Sequence, residues 1–93
     1  MPTTERRQLK KLEDLPNVGK ATAADLRLLG ITQPDQLRGQ DPLHLYQELC
    51  RITGQRHDPC ALDVFMAVVN FMEGGPELPW WEFTAERKKT YQI

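Results

Sequence analysis

The stretch LPNVGKATAADLRLLGI, residues 15–31, decides how the rest of the chain is read. Its first half, Pro16-Asn17-Val18-Gly19, is a break between two amphipathic runs. Proline removes a backbone donor and pushes the residue before it into extended backbone. Asn17 belongs to the residue types other than glycine that best tolerate a positive φ. After the break Ala23, Leu26 and Leu29 recur at threes, and Gly30 stands where a helix C-cap glycine belongs. Residues 20–29 are therefore predicted to be a helix that opens at Gly19. At such an opening the free N–H groups and the helix dipole favour an anion. Gly19 has no side chain to hold a phosphate oxygen away from the backbone. Lys20 adds a mobile positive charge, and Thr22 offers a hydroxyl one turn in. Val18 is the apolar pin of the loop, and Ala23 is small where two helices must come close.

The same punctuation runs outward in both directions. Upstream, Leu9 and Leu12 lie three apart and lead to Leu15, with charges on the other faces, which predicts a helix over residues 4–13. Downstream, Thr32 is expected to cap a short turn with Pro34 near its start, Leu37 facing inward and Gly39 at its end. Asp41-Pro42 and Asp58-Pro59 each place an acceptor at an N-cap and a proline at the first helical position. The helix after Asp41 carries Tyr46, Leu49, Cys50 and Thr53 on one stripe and closes at Gly54. The helix over residues 59–73 is apolar almost all round, with Asp63, Ala67 and Asn70 on one narrow stripe. A helix of that kind is buried on most sides, so it is expected at the centre. Gly74-Gly75-Pro76 breaks it, and a short charged helix is expected over residues 84–91. No run alternates with a period of two. The expected fold is a single all-α domain over residues 1–93, built of about five short helices.

Bulk properties bound the function. Ninety-three residues allow one domain with one modest core. The formal charge is −1, so no global cationic field draws nucleic acid to the chain. Charge is local instead. In the first twenty residues Arg6, Arg7, Lys10, Lys11 and Lys20 outnumber Glu5, Glu13 and Asp14, on the hairpin side of the sequence. Residues 1–13 lack the apolar core of a secretory signal. The longest apolar run, residues 60–72, is interrupted by Asp63 and Asn70 and falls short of the roughly 20 residues that span a bilayer. A cytoplasmic protein without membrane contact is expected.

Cys50 and Cys60 have no paired spacing and read as reduced thiols at the core. His57, Asp58 and Cys60, with Cys50 or His44, lack the paired close spacings of N- and S-ligand metal sites. Cys60 lies in a first helical turn, where the dipole would lower a thiol pKa, but no acid, base or second catalytic group accompanies it. Neither metal, cofactor nor enzyme activity is expected. Of Trp80 and Trp81, one is expected buried and the other partly exposed. Tyr46, Phe65 and Phe71 read as core, and Arg87-Lys88-Lys89 as a solvated face.

Leu15-Pro16-Asn17-Val18-Gly19, followed by Ala23, Leu26, Gly30 and Ile31, resembles the helix-hairpin-helix motif over about residues 5–31. Families with that motif typically carry Leu-Pro-Gly-Ile-Gly. Here Asn17 stands in place of the first glycine, and the TfoX-type C-terminal domain has a similar Pro-Asn-Ile-Gly version. Further along, DPLHLYQELC (residues 41–50), DPCALDVFMAVVNF (58–71) and PELPWWEF (76–83) are similar to the small bacterial pathogenicity-locus family, whose members are sometimes labelled mitomycin-resistance proteins. That likeness spans roughly residues 9–85 and brings no defined biochemical activity with it.

The hairpin resemblance implies a SAM-like or tandem-hairpin arrangement, with a helical bundle over residues 32–93. It also implies DNA binding without sequence preference. Asn17, Val18 and Gly19 would present backbone N–H groups to phosphate, and Lys20 and Thr22 would add side-chain contacts. The competing expectation is a protein-interaction adaptor in which the hairpin is purely structural and the same surface or the Trp80–Trp81 end meets the partner. A single hairpin covers little DNA, so a homodimer or a protein partner with a second contact is expected alongside.

Overall fold

The computed structural model describes residues 9–93. Four α-helices run through it: α1 (Lys20–Leu28), α2 (Pro42–Thr53), α3 (Cys60–Met72) and α4 (Thr84–Tyr91). Three 3-10 turns, Leu12–Asp14, Pro34–Leu37 and Trp80–Phe83, stand between them. No strand occurs among the described residues. The all-α expectation holds, with four α-helices among the described residues rather than about five.

The difference lies at the start. Half of the helix expected over residues 4–13 lies outside the described residues. Its described end is a 3-10 turn entered from extended backbone at Lys11, with φ −108° and ψ 143°. Leu9, Leu12, Leu15 and Val18 recur strictly at threes, the repeat of a 3-10 turn rather than the mixed threes and fours of an α-helix. That regularity was the misleading signal. Leu12, Leu15 and Val18 are nonetheless buried, at 0%, 3% and 8% exposure.

The core is organised around α3. Leu62, Phe65, Met66, Val68, Val69, Phe71 and Met72 are all buried, and α2, α4 and the turns Pro34–Leu37 and Trp80–Phe83 all pack on this helix. A helix apolar all round takes the centre because every one of its faces gains from leaving water. Tyr46 and Leu49 of α2 join it in the core, as expected. On the polar stripe of α3, Asp63 and Ala67 are buried and Asn70 is half-buried. Asp63 is fully buried, accepting from Arg87 Nε at 2.6 Å and from the Thr84 hydroxyl at 2.7 Å. Arg87 is therefore no part of a solvated face. It lies 4% exposed while Lys88 and Lys89 are exposed. A carboxylate inside an apolar helix needs a cation and further donors, and α4 brings both.

Most helix ends follow the sequence, but α3 starts at Cys60 with Pro59 rather than Asp58 at its N-cap. The Asp41 carboxylate accepts the Leu43 N–H at 3.0 Å with Pro42 in the first turn. At the other end of α1, Gly30 takes φ +84° and Ile31 N–H returns to the Leu26 carbonyl at 3.0 Å. This is the glycine-dependent closure that satisfies orphan carbonyls. Gln55 to Cys50 and Gly75 to Asn70 repeat that bond at the ends of α2 and α3. The short turn starts differently from expectation. Gln36, not Thr32, caps it, its side-chain oxygen accepting from the backbone N–H groups of Thr32 and Gln33 at 2.7 and 2.9 Å.

Candidate nucleic-acid interface

The loop between Asp14 and Lys20 is held from below. Leu12, Leu15 and Val18 point into the core, and Val18 N–H donates to the Leu15 carbonyl at 3.3 Å. Asn17, half-buried, turns the chain with φ +70°. Gly19 is the N-cap of α1, exposed, with φ −97°. That backbone suits any residue, and a Cβ added there would meet nothing within 4 Å. Neither conformation nor packing requires glycine at this position. What its absent side chain provides is open space in front of the helix N-terminus. No side chain caps that terminus, and its first turn contains no acidic residue. Lys20 is exposed, Thr22 half-buried, and Ala23 fully buried as its size suggested.

The carboxylates near the loop are engaged. Arg27, at the far end of α1, forks onto Glu13, with Nη2–Oε1 at 3.1 Å and Nη1–Oε2 at 3.3 Å. That guanidinium holds the Glu13 carboxyl below its ordinary range. Asp14 accepts the Lys11 N–H at 3.3 Å. Lys10, Lys11 and Lys20 remain exposed. Arg6 and Arg7 lie outside the described residues.

Sequence reasoning missed the Asn17 side chain. Its amide donates to the Leu78 carbonyl at 2.9 Å, and its oxygen accepts the Trp80 N–H at 3.1 Å. The loop is thereby clamped to the segment before the last turn, in which Trp80 is half-buried and Trp81 exposed. Neither tryptophan is fully buried, contrary to expectation. An asparagine in place of a hairpin glycine was the available signal, since it adds a donor and an acceptor that glycine lacks.

The cysteine and histidine cluster is a loop lock. Tyr46 Oη donates to the His57 carbonyl. The Thr53 hydroxyl donates to Leu49 O at 2.8 Å and meets His57 Nε2 at 2.9 Å. His57 N–H reaches Cys50 Sγ at 3.4 Å. Asp58 accepts the Cys60 N–H at 2.8 Å. The expected activation of Cys60 by the helix dipole is reversed: hydrogen bonding to the Asp58 carboxylate, then burial, pushes its thiol above the ordinary range. Among the described residues no three His, Cys, Asp or Glu side chains are placed to hold a metal ion. At pH 7.5 iodoacetamide is expected to alkylate Cys60 several-fold faster in Asp58→Asn than in the wild type, followed by mass spectrometry, because the thiolate is the nucleophile. Equal rates would remove Asp58 as the cause.

The chain belongs to the Cdd1 family, described as "Pathogenicity locus", which matches residues 5–89. It is also similar to the mitomycin resistance protein McrB of Streptomyces lavendulae, at 46% identity over 78 residues, or 84% of this chain and 74% of that protein. No solved structure matches. Among the described residues no helix is long and apolar enough to cross a membrane.

Proposed function

We propose that the chain is a DNA-binding protein rather than an enzyme, and that it contacts the phosphate backbone without reading sequence. In this reading residues 12–31 act as a helix-hairpin-helix motif of the kind found in TfoX-type domains, within a SAM-like arrangement whose first arm is a 3-10 turn. The backbone N–H of Gly19 faces a phosphate, Lys20 and Thr22 add contacts, and Asn17 and Val18, whose N–H is held by the Leu15 carbonyl, set the loop's shape. One observation carries the reading: the N-terminus of α1 is uncapped, and open space stands where a Gly19 side chain would be. Such a terminus favours an anion through unsatisfied donors and dipole alike. The paired state of Glu13 supports it by removing a free negative charge beside the loop. One hairpin covers little DNA, so the protein acts in the cytoplasm as a homodimer or beside a partner that supplies a second contact.

Gly19→Asp separates folding from binding. Aspartate at an N-cap accepts the first N–H groups and complements the dipole, so stability should rise by a few tenths to about 1 kcal/mol. The same carboxylate occupies the phosphate position and should abolish binding to a fluorescein-labelled duplex in anisotropy titrations. Lys20→Glu should weaken wild-type binding about tenfold and flatten its dependence on salt. Absence of binding by the wild type to any DNA at low salt would reduce the hairpin to a scaffold and leave the adaptor reading in its place.

A further inference from the structure

Trp81 keeps 60% of its surface exposed, and Leu78 in the same segment keeps 37%. The Trp81 ring stands at 84° to that of Trp80, centroids 5.6 Å apart. The strand of chain that carries them is held in place. Pro79 fixes it in extended geometry, with φ −67° and ψ 154°, and Asn17 grips it on either side of Pro79. A shallow groove of about 260 Å³ runs beside it, lined by Pro16, Asn17, Glu77, Leu78 and Pro79. Along the segment itself the charge has one sign. From His57 to Glu86 the sequence holds six carboxylates and no lysine or arginine. Asp63 is paired inside the core, whereas Glu77 and Glu82, which flank Leu78 and Trp81, are exposed.

We propose that this surface docks a basic segment of a protein partner, an extended stretch in which arginine or lysine alternates with apolar residues. A cation would lie over the Trp81 ring, attracted by the quadrupole of its face. The partner's apolar side chains would cover Leu78 and the groove, and its remaining charges would pair with Glu77 and Glu82. Rigid tryptophan-centred patches suit this role because little side-chain freedom is lost on contact. A nucleic-acid strand would bring phosphates against the same two carboxylates, so charge complementarity selects the peptide. The groove shares Pro16 and Asn17 with the hairpin loop, but the proposal does not rest on phosphate binding at Gly19.

The test uses the full chain labelled with 15N, and follows the indole N–H cross-peaks of Trp80 and Trp81, assigned with Trp81→Phe. The probes are a synthetic peptide alternating arginine and leucine, its counterpart with glutamate for arginine, and a single-stranded oligonucleotide. The arginine peptide is expected to shift the Trp81 peak saturably, and the glutamate peptide to leave it unmoved. Glu77→Gln/Glu82→Gln should weaken the arginine peptide about tenfold without changing the thermal midpoint, since both side chains are exposed. A Trp81 peak unmoved by the arginine peptide, or equal affinity for the double variant, would overturn the proposal. So would a shift produced by the oligonucleotide alone, which would make Trp81 a base-stacking platform.

Discussion

Arg87→Met is expected to remove about 3–5 kcal/mol of folding stability, a large share of what keeps a domain of this size folded. The methionine replaces much of the arginine's volume, so the loss comes from charge rather than from a cavity. Asp63 would remain fully buried with a Thr84 hydroxyl but no cation. Urea denaturation followed by circular dichroism measures the effect. Asp63→Leu/Arg87→Met should recover most of it, because a buried ion pair exchanged for well-packed apolar residues is often neutral. Single and double variants equally unstable would mean that packing at Arg87, not its charge, holds α4. Thr84→Ala should cost about 1 kcal/mol, the usual contribution of one hydrogen bond.

The second large effect is at Asn17. Asn17→Gly restores the glycine typical of helix-hairpin-helix families, yet it should destabilise the protein by about 1–2 kcal/mol. It keeps the positive φ and loses two hydrogen bonds to the 78–80 segment. Asn17→Ala loses the same bonds and adds the strain of a left-handed alanine, for a total of about 2–4 kcal/mol. The gap between the two variants isolates the backbone term. Tryptophan fluorescence reads the clamp itself, because release of the Trp80 N–H should change the surroundings of both indoles in Asn17→Gly while far-UV circular dichroism stays native. Unchanged emission would show that the 78–80 segment holds its place without Asn17.

These two sites also mark where the sequence stops being legible. Local devices could be read directly: Asp41 before Pro42, Gly30 and Gly54 past their helices, and the apolar girth of α3 that sends it to the centre. Each acts between residues a few positions apart. Asn17 and Arg87 act across 61 and 24 residues, and nothing in their immediate neighbourhood announces the partner. Arg87 is concealed further by Lys88 and Lys89, which make it look like one of a solvated run. Asp63 did carry a signal, since a lone carboxylate in an apolar helix demands a buried cation. At the hairpin the pattern located the opening of α1 and its glycine. The pairing of Glu13 with Arg27 and the clamp on the tryptophan segment come from tertiary packing alone.

The position of α3 at the hub sets the order in which the domain can form during synthesis. The chain leaves the ribosome N-terminus first. α1, α2 and the turn at Pro34–Leu37 are therefore made before the helix that most of them must cover. α2 emerges with Leu45, Tyr46 and Leu49 exposed and waits for Cys60–Met72 to arrive. Even then Asp63 has no counter-charge until residue 87 has been added. No smaller unit built from the early residues alone can close. A nascent chain stopped at Met72 should still be cut readily by protease, and protection should appear in a single step once α4 is free to dock.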